Sequence, residues 1–273
     1  MPNFEILCVT MHQNDFSKIK EMNVHSNIVY ANQCDHNSYE EFEFEGHTAK
    51  MISTQTRGVG KNRNLALIYA SADICLIADD DVRYVDDMEK KVLAEFERHP
   101  DADVMVFHFS SNHPIRKPQQ YEKTKKWPKI ARTPWGTCRI AFRLNSVRKA
   151  NAWFTILFGG GCIFPAGEDS MWIKALRRAG LVFYVSKETI GEVSYETSSW
   201  FVGYDERYYY GVGALYEAMD VKIAGIKLLY TIYRTKNQKG LKAGEKLKWL
   251  RRGREGYHKM LSFEDFVKDV DDK

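Results

Sequence analysis

Along the first half of the chain, short apolar runs alternate with stretches whose apolar residues recur at helical spacing, the pattern of strands interleaved with crossover helices. Runs rich in Ile, Val, Leu or Phe predict strands over Glu5–Thr10, Asn27–Ala31, Lys50–Ser53, Asp73–Ala78 and Asp103–Phe109. A turn carrying Gly58 and Gly60 should open a helix over Asn62–Ala72. Asp86 and Glu89 have capping-box spacing ahead of Val92, Leu93 and Phe96, so a further helix should start there and stop before Pro100. The stripe Met171, Trp172, Ala175, Leu176 and Ala179 marks another helix, closed by Gly180 and followed by a strand at Leu181–Val185. Residues 110–136 break the pattern. They hold four of the seven prolines and no period, which predicts a long basic flap that orders over a ligand. The fold class is α/β.

Composition sets limits on this picture. At 273 residues, 44% hydrophobic and 28% charged, the chain can bury a large core and is not a disordered or low-complexity protein. No apolar run reaches the roughly 18 to 20 residues that span a bilayer, and the apolar start MPNFEILCVT lacks the basic head of a signal peptide, so a cytoplasmic protein is expected. The five cysteines are scattered without a CxxC, as reduced, buried thiols would be.

The net charge of +4 hides an asymmetry. Residues 222–259 carry twelve Lys or Arg against Glu245 and Glu255, so the rest of the chain is net acidic. A basic tail on an acidic body points to an anionic partner surface, phospholipid or nucleic acid. Ile223, Ile226, Leu229, Tyr230 and Tyr233 fall at helical spacing, with Leu247, Leu250 and Leu261 continuing an apolar face among the cations. That pattern favours helices lying on the inner face of a membrane over nucleic-acid binding.

Candidate chemistry concentrates at three places. The apolar strand ICLIA runs straight into Asp79, Asp80 and Asp81. Adjacent carboxylates repel one another, and the carboxyl ends of strands in an open α/β sheet are where ligands bind, so a hard divalent ion, Mg²⁺ or Mn²⁺, is the expected counter-charge. The segment RGVGKNRN, with Lys61 and Arg63, lacks the spacing of a Walker loop but is a basic, glycine-containing turn entering a helix, suited to an anionic ligand. Glu168 and Asp169 open the helix that carries Trp172, whose ring could meet a sugar face or lie in the core.

In order and spacing, these three elements resemble the family 2 glycosyltransferases with the GT-A fold, a mixed sheet flanked by helices, over roughly residues 3–215. Residues 216–273 would then form a basic helical extension. The resemblance implies an inverting transferase that moves a sugar from a nucleotide diphosphate, a UDP-sugar above all, to a hydroxyl of a glycan or lipid-linked acceptor in bacterial envelope synthesis. It implies that Asp79, Asp80 and Asp81 correspond to the DXD element, with Asp81 and Asp79 on the metal. Thr10, Lys61 and Arg63 would meet the nucleotide, and Asp79 its nucleoside part. Asp169 would be the catalytic base, and Glu168 with Trp172 would face the acceptor. Asn32 stands where the family carries an Asp that reads the base, and Glu192 stands where it carries a His near the metal; Glu is a fitting oxygen ligand. A metal-dependent sugar nucleotidyltransferase, a carboxylate-pair glycoside hydrolase and a non-catalytic module for anionic surfaces are the rival readings.

Overall fold

In the computed structural model of the chain, residues 2–111, 120–129, 136–193, 203–219, 224–238 and 240–271 are described. The strand β1 (Phe4–Met11) is followed by a single helical turn, α1 (Lys18–Glu21), then β2 (Asn27–Gln33), β3 (Ser38–Phe44) and β4 (His47–Thr54). After α2 (Val59–Tyr69) come β5 (Ile74–Asp79), β6 (Val82–Tyr84), α3 (Met88–Arg98), β7 (Val104–Ser110), the two-residue β8 (Lys125–Lys126), β9 (Ile140–Arg143) and α4 (Leu144–Lys149). The chain continues through α5 (Glu168–Arg178), β10 (Phe183–Val193), α6 (Glu206–Ala218), α7 (Ala224–Arg234), α8 (Ala243–Lys259) and α9 (Phe263–Asp271).

The strands form one mixed sheet in the order β3-β4-β2-β1-β5-β9-β7-β10-β6, with β8 added on β10. The neighbours β4, β2, β1 and β5 run parallel. Antiparallel β9 lies between β5 and β7. The strands expected from sequence are present, whereas β3, β6, β8 and β9 are additions. β3 is an edge strand carrying Glu40, Glu41 and Glu43, a charged pattern that guards an open edge and hides the strand from an apolar-run search. β6 and β9 are three and four residues long, too short to show a period.

Because side chains alternate across a strand, the central strands feed two cores. Phe4, Ile6 and Cys8 of β1, Ile74 and Leu76 of β5, and Met105, Phe107 and Phe109 of β7 pack with Val92 and Phe96 of α3 on one side. Leu7, Cys75, Ile77, Val104 and Val106 pack with Ala66 and Leu67 of α2 and with Trp172, Ile173 and Leu176 of α5 on the other. The start of α3 differs from expectation. Asp87 holds the cap position without a side-chain cap, while Asp86 accepts a hydrogen bond from Asn23 at 2.9 Å. Part of the expected flap is also structured: Trp127 N–H donates to Phe183 O and Tyr121 N–H to His108 Nε2, so 120–129 is strapped to the sheet. Residues 112–119 and 130–135 of that segment lie outside the described residues.

The chain divides into two compact units, one of residues 1–57, 61–154 and 172–197, the other of 58–60, 155–171 and 198–273. The second is built around Phe158, Phe164, Tyr209, Tyr210, Trp249, Leu250 and Phe266. In it α6 and α8 approach closely: a Cβ on Gly213 would stand 2.1 Å from Leu250 O, and one on Gly253 1.9 Å from Tyr210 O. α6 runs unbroken through residues 215 and 216, where the sequence suggested a boundary. Leu250, expected on an outward apolar face, is fully buried, and Lys246, counted among the basic tail, is buried with its ammonium donating to Thr235 O at 2.7 Å.

Candidate functional site

The parallel register sets Thr10 beside Asn32 and Val9 beside Asp79, so the carboxyl ends of β2, β1 and β5 converge. Just past β5 the chain turns tightly at Asp80 and Asp81 into β6. Thr10 is buried, and its hydroxyl donates to Asp80 Oδ2 at 2.5 Å, tying the β1 end to the acidic turn. Asn32 is fully buried: its amide donates to Gln13 O and Ser53 Oγ, each at 2.9 Å, and its Oδ1 accepts from Gln13 N–H. It pins the residues after β1 to the strand ends, a role that a carboxylate could not fill as donor.

The first turns of α2 explain why NRN follows the glycines. Asn62 donates to Ala31 O at 2.6 Å and Thr10 O at 3.3 Å, stapling the helix to two strands. Its Oδ1 is buried with no hydrogen-bond partner among the described residues. Arg63, only 6% exposed, places Nη2 3.2 Å from Asp79 Oδ1 and lays its guanidinium 5.4 Å from the centre of the Phe154 ring. Asn64 closes a reciprocal pair with the Phe154 backbone at 2.8 and 2.9 Å. Lys61 is exposed.

Electrostatically the turn is strained. Loss of water from around the Asp81 carboxyl, then the charge of Asp79, then that of Asp80, push it up to about 6, although the residue keeps open surface. The Cys8 thiol beneath is driven well above its ordinary range by burial and then by Asp80 and Asp79. A hard cation would relieve this repulsion, and the donor set, carboxylate oxygens alone, fits one. Among the described residues, Asp79, Asp80 and Asp81 do not form a group of three donor atoms within 4.8 Å of one another, whereas the thiol of Cys34, the carboxylate of Asp35 and the ring of His36 do. An ion at the acidic turn would therefore take at most two of these three carboxylates, and its other ligands would come from elsewhere, as water and phosphate could supply. Glu192 is exposed on β10 opposite Arg83, two residues after Asp81.

In the second unit, Glu168 and Asp169 occupy the first turn of α5 and are half-buried. Glu168 Oε2 accepts from Gly167 N–H at 3.1 Å. The glycine run ahead of the helix makes room for that carboxylate: Gly159 has φ of +105°, and a Cβ there would lie 2.8 Å from Glu168 Cδ and 2.5 Å from Val59 Cγ1. Trp172, expected against an acceptor, is a core residue. It is fully buried, stacks on Phe154 at 4.5 Å and donates Nε1–H to Ala152 O. Its polar atom is satisfied inside, so no edge remains for a ligand.

Sequence reasoning missed Gln13, Ser53, Asn62 and Phe154. Asn62 alone carried a signal, its place in the motif; the others are recruited from distant segments.

The model of glycosyl transferase family 2 matches residues 36–156, somewhat under half of the chain. No curated protein sequence matches it. Among solved structures, S. aureus TarS 1-349 in complex with UDP-GlcNAc is similar at a TM-score of 0.61 and 14% identity, covering 96% of this chain and 93% of that one. The same TarS segment in complex with UDP gives 0.59 at 12% identity, with the same coverage of 96% and 93%. A longer TarS chain gives 0.55 at 14% identity and is covered over 44% of its length. The mixed sheet, its flanking helices and these likenesses establish the fold as the GT-A glycosyltransferase fold.

Proposed function

We propose that the chain is a family 2 glycosyltransferase that moves a sugar, with inversion, from a UDP-sugar to a hydroxyl of an envelope glycan or lipid-linked acceptor. The observation that carries this reading is the meeting of Thr10, Asn32, Arg63 and the Asp79–Asp81 turn at the carboxyl ends of β1, β2 and β5, within the fold shared with a protein crystallised with UDP-GlcNAc. Ligands of open α/β sheets bind at such strand ends.

In this reading Asp81, with Asp79, would hold Mg²⁺ or Mn²⁺, which would supply positive charge against the leaving diphosphate. Arg63, already buried against Asp79, sets the position of that carboxylate. Thr10 fixes Asp80, so that the turn presents its carboxylates in one arrangement before donor arrives. Lys61 faces solvent, where a mobile cation can meet a phosphate. Asp169 takes the proton of the acceptor hydroxyl as that oxygen attacks the anomeric carbon from the face opposite the leaving group. Glu168, held to the Gly167 backbone, shapes the acceptor side.

A screen of UDP-, GDP- and dTDP-sugars with Mn²⁺, read as release of nucleotide, tests the reading; UDP from one or more UDP-sugars is expected. Pyrophosphate made from nucleoside triphosphate and sugar phosphate would instead identify a nucleotidyltransferase. Sugar release without nucleotide would identify a hydrolase. Retention of the anomeric configuration in the product, read by NMR, would refute inversion.

A further inference from the structure

The helix α7 is built inside out. Towards the rest of the second unit it buries Leu228 and the hydroxyl of Thr231, Thr235 is buried just past its end, and the two hydroxyls hydrogen-bond Tyr216 OH and Tyr209 OH at 2.9 and 2.8 Å. Towards solvent it presents Ile226, Leu229, Tyr230 and Tyr233, which are 64%, 61%, 52% and 65% exposed. These four fall at i, i+3, i+4 and i+7, so they form one continuous stripe. A contiguous exposed apolar face of this kind marks a surface that another apolar phase covers.

The charges around the stripe select the occupant. α7 contains no acidic residue. Lys236 Nζ lies over the Tyr233 ring at 4.6 Å, Lys227 Nζ over Tyr216 at 5.5 Å, and Arg234 donates to Tyr208 OH at 3.2 Å, so two cations on the helix and one just past its end stand beside aromatic side chains. On α8, Lys248 and Arg251 are exposed as well. Leu and Ile flanked by Tyr and by cations match the layering of a bilayer surface, with acyl chains below, the headgroup level at the tyrosines and anionic phosphates at the lysines. A second protein chain would have to bring its own acidic rim to cover the same face.

We propose that α7 docks the protein on an anionic lipid surface, lying in the plane of the interface with Ile226, Leu229, Tyr230 and Tyr233 inserted and Lys227, Arg234 and Lys236 at the phosphates. This corrects the wider apolar face suggested by the sequence: Leu250 faces inward, Ile223 lies outside the described residues, and the stripe belongs to α7.

Flotation of the full chain with phosphatidylglycerol-containing vesicles tests this, with phosphatidylcholine vesicles as the uncharged comparison. The wild type should float with the anionic vesicles at low salt, and weakly with the neutral ones. Leu229→Ser/Tyr233→Ser alters two exposed side chains, so the variant should melt where the wild type does while partitioning on the order of a hundred-fold less. Failure of the wild type to float at low salt would overturn the proposal. So would equal flotation of the variant, which would assign binding to charge alone. A concentration-dependent dimer that the double variant abolishes, with no flotation, would also overturn it, since the face would then belong to a second copy.

Discussion

Replacing Asp81 by Asn should move stability and ligand binding in opposite directions. The Asp81 carboxyl is pushed from 3.8 up to about 6 by lost hydration and by Asp79 and Asp80. Its folded state therefore holds the proton more tightly than the unfolded chain does. The ionised form costs stability at neutral pH, and that cost fades as pH falls through about 6 towards 3.8. Asn keeps the shape and removes the charge. The residue is more than a third exposed, so solvent screening reduces the benefit to on the order of 1 kcal/mol. For a domain of this size that is a rise of roughly 2–4 °C in Tm. Melting in EDTA from pH 4 to pH 8 should show Asp81→Asn above wild type at pH 7.5 and level with it near pH 4. Calorimetry with UDP and Mn²⁺ should show the reverse order: the wild type binds, losing affinity about tenfold per pH unit below about 6 as protons compete, while the variant is weak and independent of pH. A variant less stable than wild type at pH 7.5 would mean that the carboxylate is a structural partner. Equal UDP affinity in EDTA and in Mn²⁺ would remove the metal from the site.

Asp169→Asn should lower kcat by about 10² to 10⁴ while UDP and metal binding persist, whereas a carboxylate that only caps α5 would give a lower Tm with turnover preserved. Gly253→Ala drives a Cβ to 1.9 Å from Tyr210 O and should destabilise by about 2–4 kcal/mol in a denaturant titration, while Gly244→Ala, with nothing within 4 Å, should be neutral or stabilising. The buried Glu95 carboxylate would be pushed up by desolvation, but hydrogen bonds from Thr124, Ser186 and Arg98 outweigh this and hold it below its usual 4.5. Glu95→Ala should therefore cost about 3 kcal/mol above pH 5, a deficit that closes as acid protonates the wild-type group.

The sequence by itself determined the features that are local in the chain. Parallel strands buried on both faces must be apolar without interruption, so β1, β2, β4, β5 and β7 could be read as runs, and a carboxylate triplet at the end of such a run is visible wherever the strand is. The 3.6-residue stripe of α5 and its opening Glu168–Asp169 were legible for the same reason. Tertiary structure alone decided what depends on partners far apart in sequence. β9 lies antiparallel between β5 and β7 because their edges need a partner, and its four residues carry no period of their own. Arg63 finds its aromatic face at Phe154, and Asn32 its ligands at Gln13 and Ser53. Trp172 and Leu250 show the limit most plainly. A helical stripe gives the direction in which a side chain points relative to its neighbours on the helix, but whether protein or solvent waits there is set by the elements that pack against it. Trp172 therefore lies in the core, Leu250 faces inward, and the stripe of α7 faces out.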